Sequence, residues 1–300
     1  MSMTRRDFLK VAGTSVALLG IGAKVAPEGM ETPQVSVPIA PRGGNGILVD
    51  TTKCVGCKQC MIACQKKNNL PQDTRTTILS ANSLSVIETR NVMVNDKPKN
   101  QPVKRQCMNC VNPSCVAACT VGAMKKLPNG PVVYDSDRCI GCRYCMYACP
   151  FGVPTFEWNQ QFSLIRKCDE CADLQTKGQA PACVQSCPAN ALTFGEREAL
   201  ITMANERVYA PKSNYIKHIY GEREIGGTTV MYLASIPFEQ LGFPTLPEIA
   251  PAEINATIMH STPTIAAGMA MALSGIYWLV KKRNEMELEP EFAENGNGGH

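Results

Sequence analysis

Sixteen cysteines stand in four groups of four, with none left over: Cys54, Cys57, Cys60 and Cys64; Cys107, Cys110, Cys115 and Cys119; Cys139, Cys142, Cys145 and Cys149; and Cys168, Cys171, Cys183 and Cys187. Three chemistries use cysteine at such density. Disulfides rescue small secreted domains, but 300 residues bury a core that stands without them, and repeated Cys-x-x-Cys favours metal ligation. Zinc takes two well-separated Cys-x-x-Cys pairs per ion, whereas Cys54 to Cys64 crowds four thiolates into eleven residues. Iron-sulfur clusters account for the spacing. Three cysteines two residues apart reach three corners of a four-iron cubane from one curled loop whose amide N–H groups point at the sulfides.

The fourth cysteine of such a run is expected past the curl, at the start of a following helix, facing away and serving another cluster. Proline directly after it, at Pro150 and Pro188, fixes the backbone and suits a first helical turn. Cys149 therefore ligates a different centre from Cys139, Cys142 and Cys145, and ligands are exchanged between partnered groups. The spacing leaves open which groups are partners. The strand pattern gives a mild indication: "GILVD" before the first group and "ALTFGE" after the fourth suit flanking strands of one unit, with the middle groups inserted as a second.

These loops need elements to hold them. "NGILVD" at 45–50 and "NALTFGE" at 190–196 read as strands. "LSVIETRNVMVNDKPKN" predicts two short strands about an Asn-Asp turn, then a proline-broken loop leading to Cys107. "GAMKKLPNGPVVYDSDRC" predicts a hairpin with its Pro-Asn-Gly-Pro turn between Met124–Leu127 and Val132–Tyr134. "EREALITMANERV" predicts a surface helix with apolar positions at Leu200, Ile201, Met203 and Ala204. From 208 to 253 glycine and proline recur too closely for another globular lobe. That stretch is expected to run as an extended arm over the body or a partner.

The formal charge of +4 includes Arg5, Arg6, Lys10 and Lys24 against Asp7, so the rest of the chain carries only +1. Four cysteine-ligated four-iron clusters would add roughly eight negative charges, which leaves no basic surface for nucleic acid. The two ends have their own patterns. "TRRDFLK" at 4–10, followed by the uncharged run Val11–Ala23, resembles a bacterial twin-arginine export signal, whose route carries folded, cofactor-loaded proteins. Ile254 to Val280 has no charged residue and is closed by Lys281, Lys282 and Arg283, with Tyr277 and Trp278 near one edge. It reads as one membrane-crossing helix with its basic end on the cytoplasmic side.

The four motifs, ending in "CIGCRYCMYACPFGVP" and "KCDECADLQTKGQAPACVQSCP", resemble those of the four-cluster electron-transfer subunits of membrane-bound oxidoreductases over about residues 44 to 195. The resemblance implies an α+β fold of two nested bacterial ferredoxin-like 2[4Fe-4S] units. The outer unit spans 41–100 and 155–207 and the inserted unit 101–154; a signal and linker (1–40) precede them. A partner-binding arm (208–253), a transmembrane anchor (254–283) and a disordered tail (284–300) follow. The resemblance also implies the ligand sets: Cys54, Cys57, Cys60 with Cys187; Cys64 with Cys168, Cys171, Cys183; Cys107, Cys110, Cys115 with Cys149; and Cys119 with Cys139, Cys142, Cys145. No ligand is replaced by Trp or Asp, so four [4Fe-4S] clusters are implied. Gln65 and Thr120 depart from the proline that often follows the last cysteine.

In that family the clusters form a wire that begins at the Cys54 group beside the catalytic partner. It runs through the Cys168 and Cys107 groups to the Cys139 group beside a quinone-linked membrane subunit. Lys53, Lys58, Lys104, Arg105, Arg138, Arg143, Arg166 and Lys167 flank ligands and are candidates to offset cluster charge, at least half of them being expected as ordinary surface cations. The chain's own export signal, its arm and its single helix are similar to the electron-transfer subunit of periplasmic nickel-iron hydrogenases of the hydrogenase-2 type. The implied partners are the small and large hydrogenase subunits, an integral membrane subunit of the polysulfide-reductase type, and membrane lipid. The alternative within the family is the beta subunit of respiratory formate dehydrogenase or another molybdopterin oxidoreductase. Formate dehydrogenase beta subunits commonly travel on their partner's signal. An enzyme in its own right finds no support, since His218 and His260 lack an arranged second acid or nucleophile in the sequence.

Overall fold

The computed structural model describes residues 44–94, 97–158 and 164–288, all within one compact unit, Ala40–His300. Along the chain it runs β1 (Asn45–Asp50), α1 (Gln59–Lys67), β2 (Ser85–Val94), β3 (Lys97–Gln106), α2 (Ser114–Ala117), β4 (Met124–Lys126), β5 (Val132–Tyr134), α3 (Tyr144–Tyr147), β6 (Thr155–Phe156), β7 (Ile165–Arg166), α4 (Ala172–Gln175), α5 (Ala182–Gln185), β8 (Leu192–Glu196), α6 (Arg197–Val208), β9 (Val230–Leu233) and α7 (Pro251–Leu288). The expected signal and linker (1–40) and the side chain of His260 lie outside the described residues, and of the expected tail (284–300) the part to Leu288 continues the last helix while the rest lies outside them.

The run Ile47-Leu48-Val49 has no polar position to turn to water, so β1 is buried on both faces. It is the middle of a three-stranded sheet, β8-β1-β9, antiparallel to β8 and parallel to β9. Strand alternation sends Leu48 to one face, where α6 covers it with Leu200, Ala204 and Val208 at helical spacing. Ile47 and Val49 face the other way, against Val86, Ile87 and Val103 of the β2-β3 hairpin and against Tyr220, Tyr232, Phe238 and Phe243. The remaining apolar clusters contain cysteine sulfur: Cys115 and Cys145 among Met124, Val132, Phe156 and Ile165, and Cys64, Cys107 and Cys168 beside Leu84 and Val153. In this half of the body the sulfur sites take the place of an ordinary core.

Two expectations are corrected here. The stretch before Cys107 is no proline-broken loop, because β3 continues through Pro98 and Pro102 to Gln106 in register with β2. The hairpin is a two-stranded sheet, and prolines four residues apart share the phase whose N–H groups point to its free edge, where no ladder bond is lost. Residues 208–253 do more than lie over the body. They supply β9 and a large part of the main apolar cluster, and Arg197 at the head of α6 clamps them by donating to Thr228 O and Glu222 O, each at 2.9 Å.

From Ser261 to Glu285 the last helix is mainly apolar, and its apolar stretch is uncovered by protein. At about 1.5 Å per residue this segment exceeds the roughly 30 Å of a bilayer core. Ile265, Met269, Met271, Leu273, Ile276 and Leu279 project into the open, which makes α7 a candidate membrane-spanning helix. Its first turn is tied to the body beside α2, where Asn112 Nδ2 donates to Glu253 Oε1 at 2.8 Å.

If 208–253 is core rather than strap, Leu233→Ala at the fully buried end of β9 should cost about 2–5 kcal/mol, read as a lowered unfolding midpoint in denaturant. A change under about 1 kcal/mol would mean that the stretch only lies on the surface.

Candidate iron-sulfur sites

The Cys-x-x-Cys loops share one backbone trick. The residue before the second cysteine has a left-handed conformation in all four: Gly56 (φ 71°), Asn109 (φ 46°), Gly141 (φ 72°) and Glu170 (φ 53°). Glycine reaches this region without cost and asparagine tolerates it. The turn brings that residue's own amide back to the first sulfur: Gly141 N–H donates to Cys139 Sγ and Glu170 N–H to Cys168 Sγ, each at 3.4 Å.

The third cysteine begins a short helix in each motif. Cys60 lies in α1, Cys115 in α2, Cys145 in α3 and Cys183 in α5. This corrects the expected order, since the helix comes before the fourth cysteine in three motifs and contains it, as Cys64, in the first. The three-residue spacer is one helical turn, and Cys119, Cys149 and Cys187 each follow the helix by two residues. Pro150 and Pro188 accordingly act as stops just beyond a C-cap. Where Gln65 replaces proline, α1 runs on to Lys67, and the buried Gln65 amide donates to Asp73 O at 2.8 Å. Thr120 has no such effect, and α2 ends at Ala117.

Three residues after these last cysteines the chain turns left-handed again, at Gly122, Gly152 and Asn190. The following amides then point at sulfur: Ala123 N–H to Cys119 Sγ at 3.1 Å and Ala191 N–H to Cys187 Sγ at 3.3 Å. Backbone N–H groups from Phe151 to Val153 do the same for Cys149. Cys64 receives instead the Asn68 side-chain amide at 3.7 Å.

Proximity sorts the sulfurs. Cys54, Cys57, Cys60 and Cys187 line one small cavity with Lys104. The sulfur neighbours acting most on Cys64 are Cys183 and Cys171, and Cys64 in turn acts most on Cys168. Cys110 is surrounded by Cys107, Cys115 and Cys149, and Cys145 by Cys139, Cys119 and Cys142. Between these sets the close neighbours are Cys60 with Cys183, Cys168 with Cys107, and Cys115 with Cys145. The same three pairs share apolar clusters. Cys57 and Cys142 are exposed, whereas Cys64, Cys168, Cys171 and Cys183 are buried.

The residues present fit iron-sulfur clusters. Burial pushes the Cys60 and Cys145 thiols up to about 11 and those of Cys64 and Cys115 to about 12. They carry charge at neutral pH only when a metal displaces the protons. Buried polar atoms without a partner stand beside ligand positions: Gln106 Nε2 next to Cys107, Ser114 Oγ next to Cys115, and Tyr134 OH against Cys139. Each can donate, and for Tyr134 the neighbouring acceptor is Cys139 sulfur. Among the described residues no three His, Cys, Asp or Glu side chains converge on a point that could hold a single ion.

The eight flanking cations divide. Lys53 pairs with Asp50 (3.9 Å), Arg105 with Glu88 (3.2 Å), Arg138 with Asp135 (3.6 Å) and Arg166 with Glu157 (2.8 Å). Lys58 donates to Thr74 O at 2.7 Å, and Arg143 lies over Trp158, 4.3 Å from its ring centre. Lys104 and Lys167 are buried and turn toward the sulfurs. Three residues here were missed in the sequence. Asn109 is fully buried and accepts from Val132 N–H at 2.9 Å. Glu170 is driven up by burial and accepts from Thr229 Oγ1 at 2.6 Å, and Lys126 is driven down by burial. Position two within Cys-x-x-Cys was the available signal for Asn109 and Glu170. His218 also differs from expectation: Glu224, three residues past the left-handed Gly221 (φ 94°), lies 2.6 Å from its Nε2.

Residues 98–197 match the 4Fe-4S dicluster domain. The hydrogenase-2 operon protein HybA of Escherichia coli O157:H7 is 35% identical over 94% of this chain and 96% of its own length. The formate dehydrogenase-O iron-sulfur subunit of Escherichia coli K12 is 38% identical over 68% of this chain and 72% of its own. The formate dehydrogenase iron-sulfur subunit of Haemophilus influenzae is 32% identical over 97% and 94%.

Gly152→Val tests the second left-handed turn. A Cβ there meets nothing within 4 Å, so the penalty of about 1–2 kcal/mol comes from the backbone alone. The centre that Cys149 serves should become the first lost to a chelator. Gly178→Val, equally open at φ 71°, should leave that centre's loss rate unchanged.

Proposed function

We propose, for a chain that belongs to the family of HybA-like and formate dehydrogenase iron-sulfur electron-transfer subunits, that it relays electrons from the small subunit of a periplasmic nickel-iron uptake hydrogenase to a quinone-reducing membrane subunit. Bound [4Fe-4S] clusters supply the one-electron carriers. The chain's own part is to hold four of them in line and to catalyse nothing itself.

The observation that carries this reading is the order of the sulfur sets. Inter-set neighbours run Cys60–Cys183, Cys168–Cys107 and Cys115–Cys145, which links the Cys54, Cys168, Cys107 and Cys139 sets in one file. The proposed ligand sets are Cys54, Cys57, Cys60, Cys187; Cys64, Cys168, Cys171, Cys183; Cys107, Cys110, Cys115, Cys149; and Cys119, Cys139, Cys142, Cys145. The exposed ligands, Cys57 and Cys142, fall in the first and last sets, so the ends can dock. Pairing of β1 with β8 supports an outer unit closed around an inserted one.

The last set has two further features. Ile140, Tyr144, Tyr147 and Trp158 stand exposed around it, Tyr147 at 89%, as a docking surface does. The candidate membrane helix leaves the body beside α2, which packs against α3. Both support the Cys139 end as the membrane-facing one, on the periplasmic side after twin-arginine export. The hydrogenase reading rests on the chain's own "TRRDFLK" and on the likeness to HybA along nearly the whole chain. A formate dehydrogenase partner is the second reading, because the Haemophilus influenzae subunit aligns as fully. The His218–Glu224 pair clamps the arm: Glu224 also accepts from Gly221 N–H at 2.7 Å, and the His218 ring meets Phe238 edge-on.

The test is to purify the native membrane complex and identify its large subunit by mass spectrometry and metal content. Nickel in that subunit, with about sixteen irons per copy of this chain for four four-iron centres, is the expected result. A molybdopterin subunit would give the second reading the assignment.

A further inference from the structure

Lys104 is 2% exposed and its Nζ donates to Ser85 Oγ at 2.5 Å and to Gln106 Oε1. Lys167 is 7% exposed and its Nζ donates to Cys168 O at 3.1 Å and to Val132 O. All four partners are neutral. A buried ammonium held only by neutral acceptors is strongly disfavoured unless negative charge lies close by. Beside Lys104 that charge is sulfur, and beside Lys167 it is sulfur together with the Asp169 and Glu170 carboxyls. Lys104 stands in the wall of a cavity with Cys60, which shares an apolar cluster with Cys183, and Lys167 reaches from Cys168, packed with Cys107, to Val132, packed with Cys115.

Position makes the pair informative. Cys60 and Cys183 belong to the first and second proposed sets, and Lys104 also lines the cavity of Cys54, Cys57 and Cys187. Cys168 belongs to the second set, Cys107 and Cys115 to the third. We infer that Lys104 and Lys167 are fixed cations at two successive joints of the relay, Lys104 between the first and second centres and Lys167 between the second and third, and that they hold up the reduction potentials of the centres they flank. The inference rests on the ligand sets proposed above. A positive charge favours the reduced, more negative state of its neighbour, and it does so more strongly in a dry interior than at the surface. Because each cation sits at a joint, its effect divides between two centres, and the second centre is exposed to both. Lys104 and Lys167 are positioning residues: neither is a ligand.

The experiment is a redox titration of the holo chain in its native complex, followed by EPR, for Lys104→Gln and Lys167→Gln. Lys104→Gln should lower the midpoints of the first and second centres, and Lys167→Gln those of the second and third. The second centre should move in both variants and the Cys139 centre in neither. Lys58→Gln, next to Cys57 but turned to Thr74 O, should shift the first centre less than Lys104→Gln does. If a glutamine variant fails to load the flanking centres, the arginine variant, which keeps the charge, should load them. Unmoved midpoints with four centres intact, an equal shift of all four, or loss of the same centres in both the Gln and Arg variants would each overturn the inference. A wild-type chain with fewer than four [4Fe-4S] centres would overturn the ligand sets themselves, and that is read before any lysine is changed.

Discussion

Between the third and fourth cysteine of every motif the chain makes one helical turn, and the place where that turn stops decides where the fourth sulfur points. In three motifs the helix ends two residues early and the backbone reverses through a left-handed Gly122, Gly152 or Asn190. The amides that follow are then committed to the sulfur. A cysteine held in this way has little freedom to swing back toward its own loop. Sulfurs from distant parts of the sequence consequently come together, Cys149 with Cys107 and Cys187 with Cys54.

The rest of the body keeps those meetings in register. β1 leads into the first motif and β8 leads out of the last, so their antiparallel ladder fixes the two ends of the cysteine-bearing segment against each other. On the other side of β1, the stretch around β9 is bonded to the loop of the third site: Val230 N–H donates to Met108 O at 3.2 Å, and Val111 N–H to Gly227 O at 2.9 Å. One strand pairing thus touches the first and fourth motifs, and the other ties in the second. Because cysteine sulfur fills much of the interior beyond the sheet, cluster binding and folding are one equilibrium in that region.

Much of this was legible in the residues, and the exceptions have physical causes. Sixteen spacings specify ligation strongly because a cluster fixes where its ligands stand. The strands at 45–50 and 192–196 were legible from apolar density. Prolines hid β3, since a free edge forgives them. Residues 208–253 read as an arm because their apolar positions, Tyr220, Tyr232, Phe238 and Phe243, follow no helical or strand period and meet only through rings packed 4.7 to 5.4 Å apart. The order of helix and fourth cysteine was misread because proline suits both a first turn and a stop. Lys104 and Lys167 stood in the same list as six ordinary cations, and only burial separates them.

The central claim is that each motif gives its fourth sulfur to another motif's centre, and Cys149 is where this can be measured most directly. Redox-titrated EPR of Cys149→Ala should show the centre held by Cys107, Cys110 and Cys115 lost or altered, with the signal of the centre held by Cys139, Cys142 and Cys145 retained. Damage confined to the Cys139 centre, with the Cys107 centre intact, would contradict the exchange and the linear order built on it.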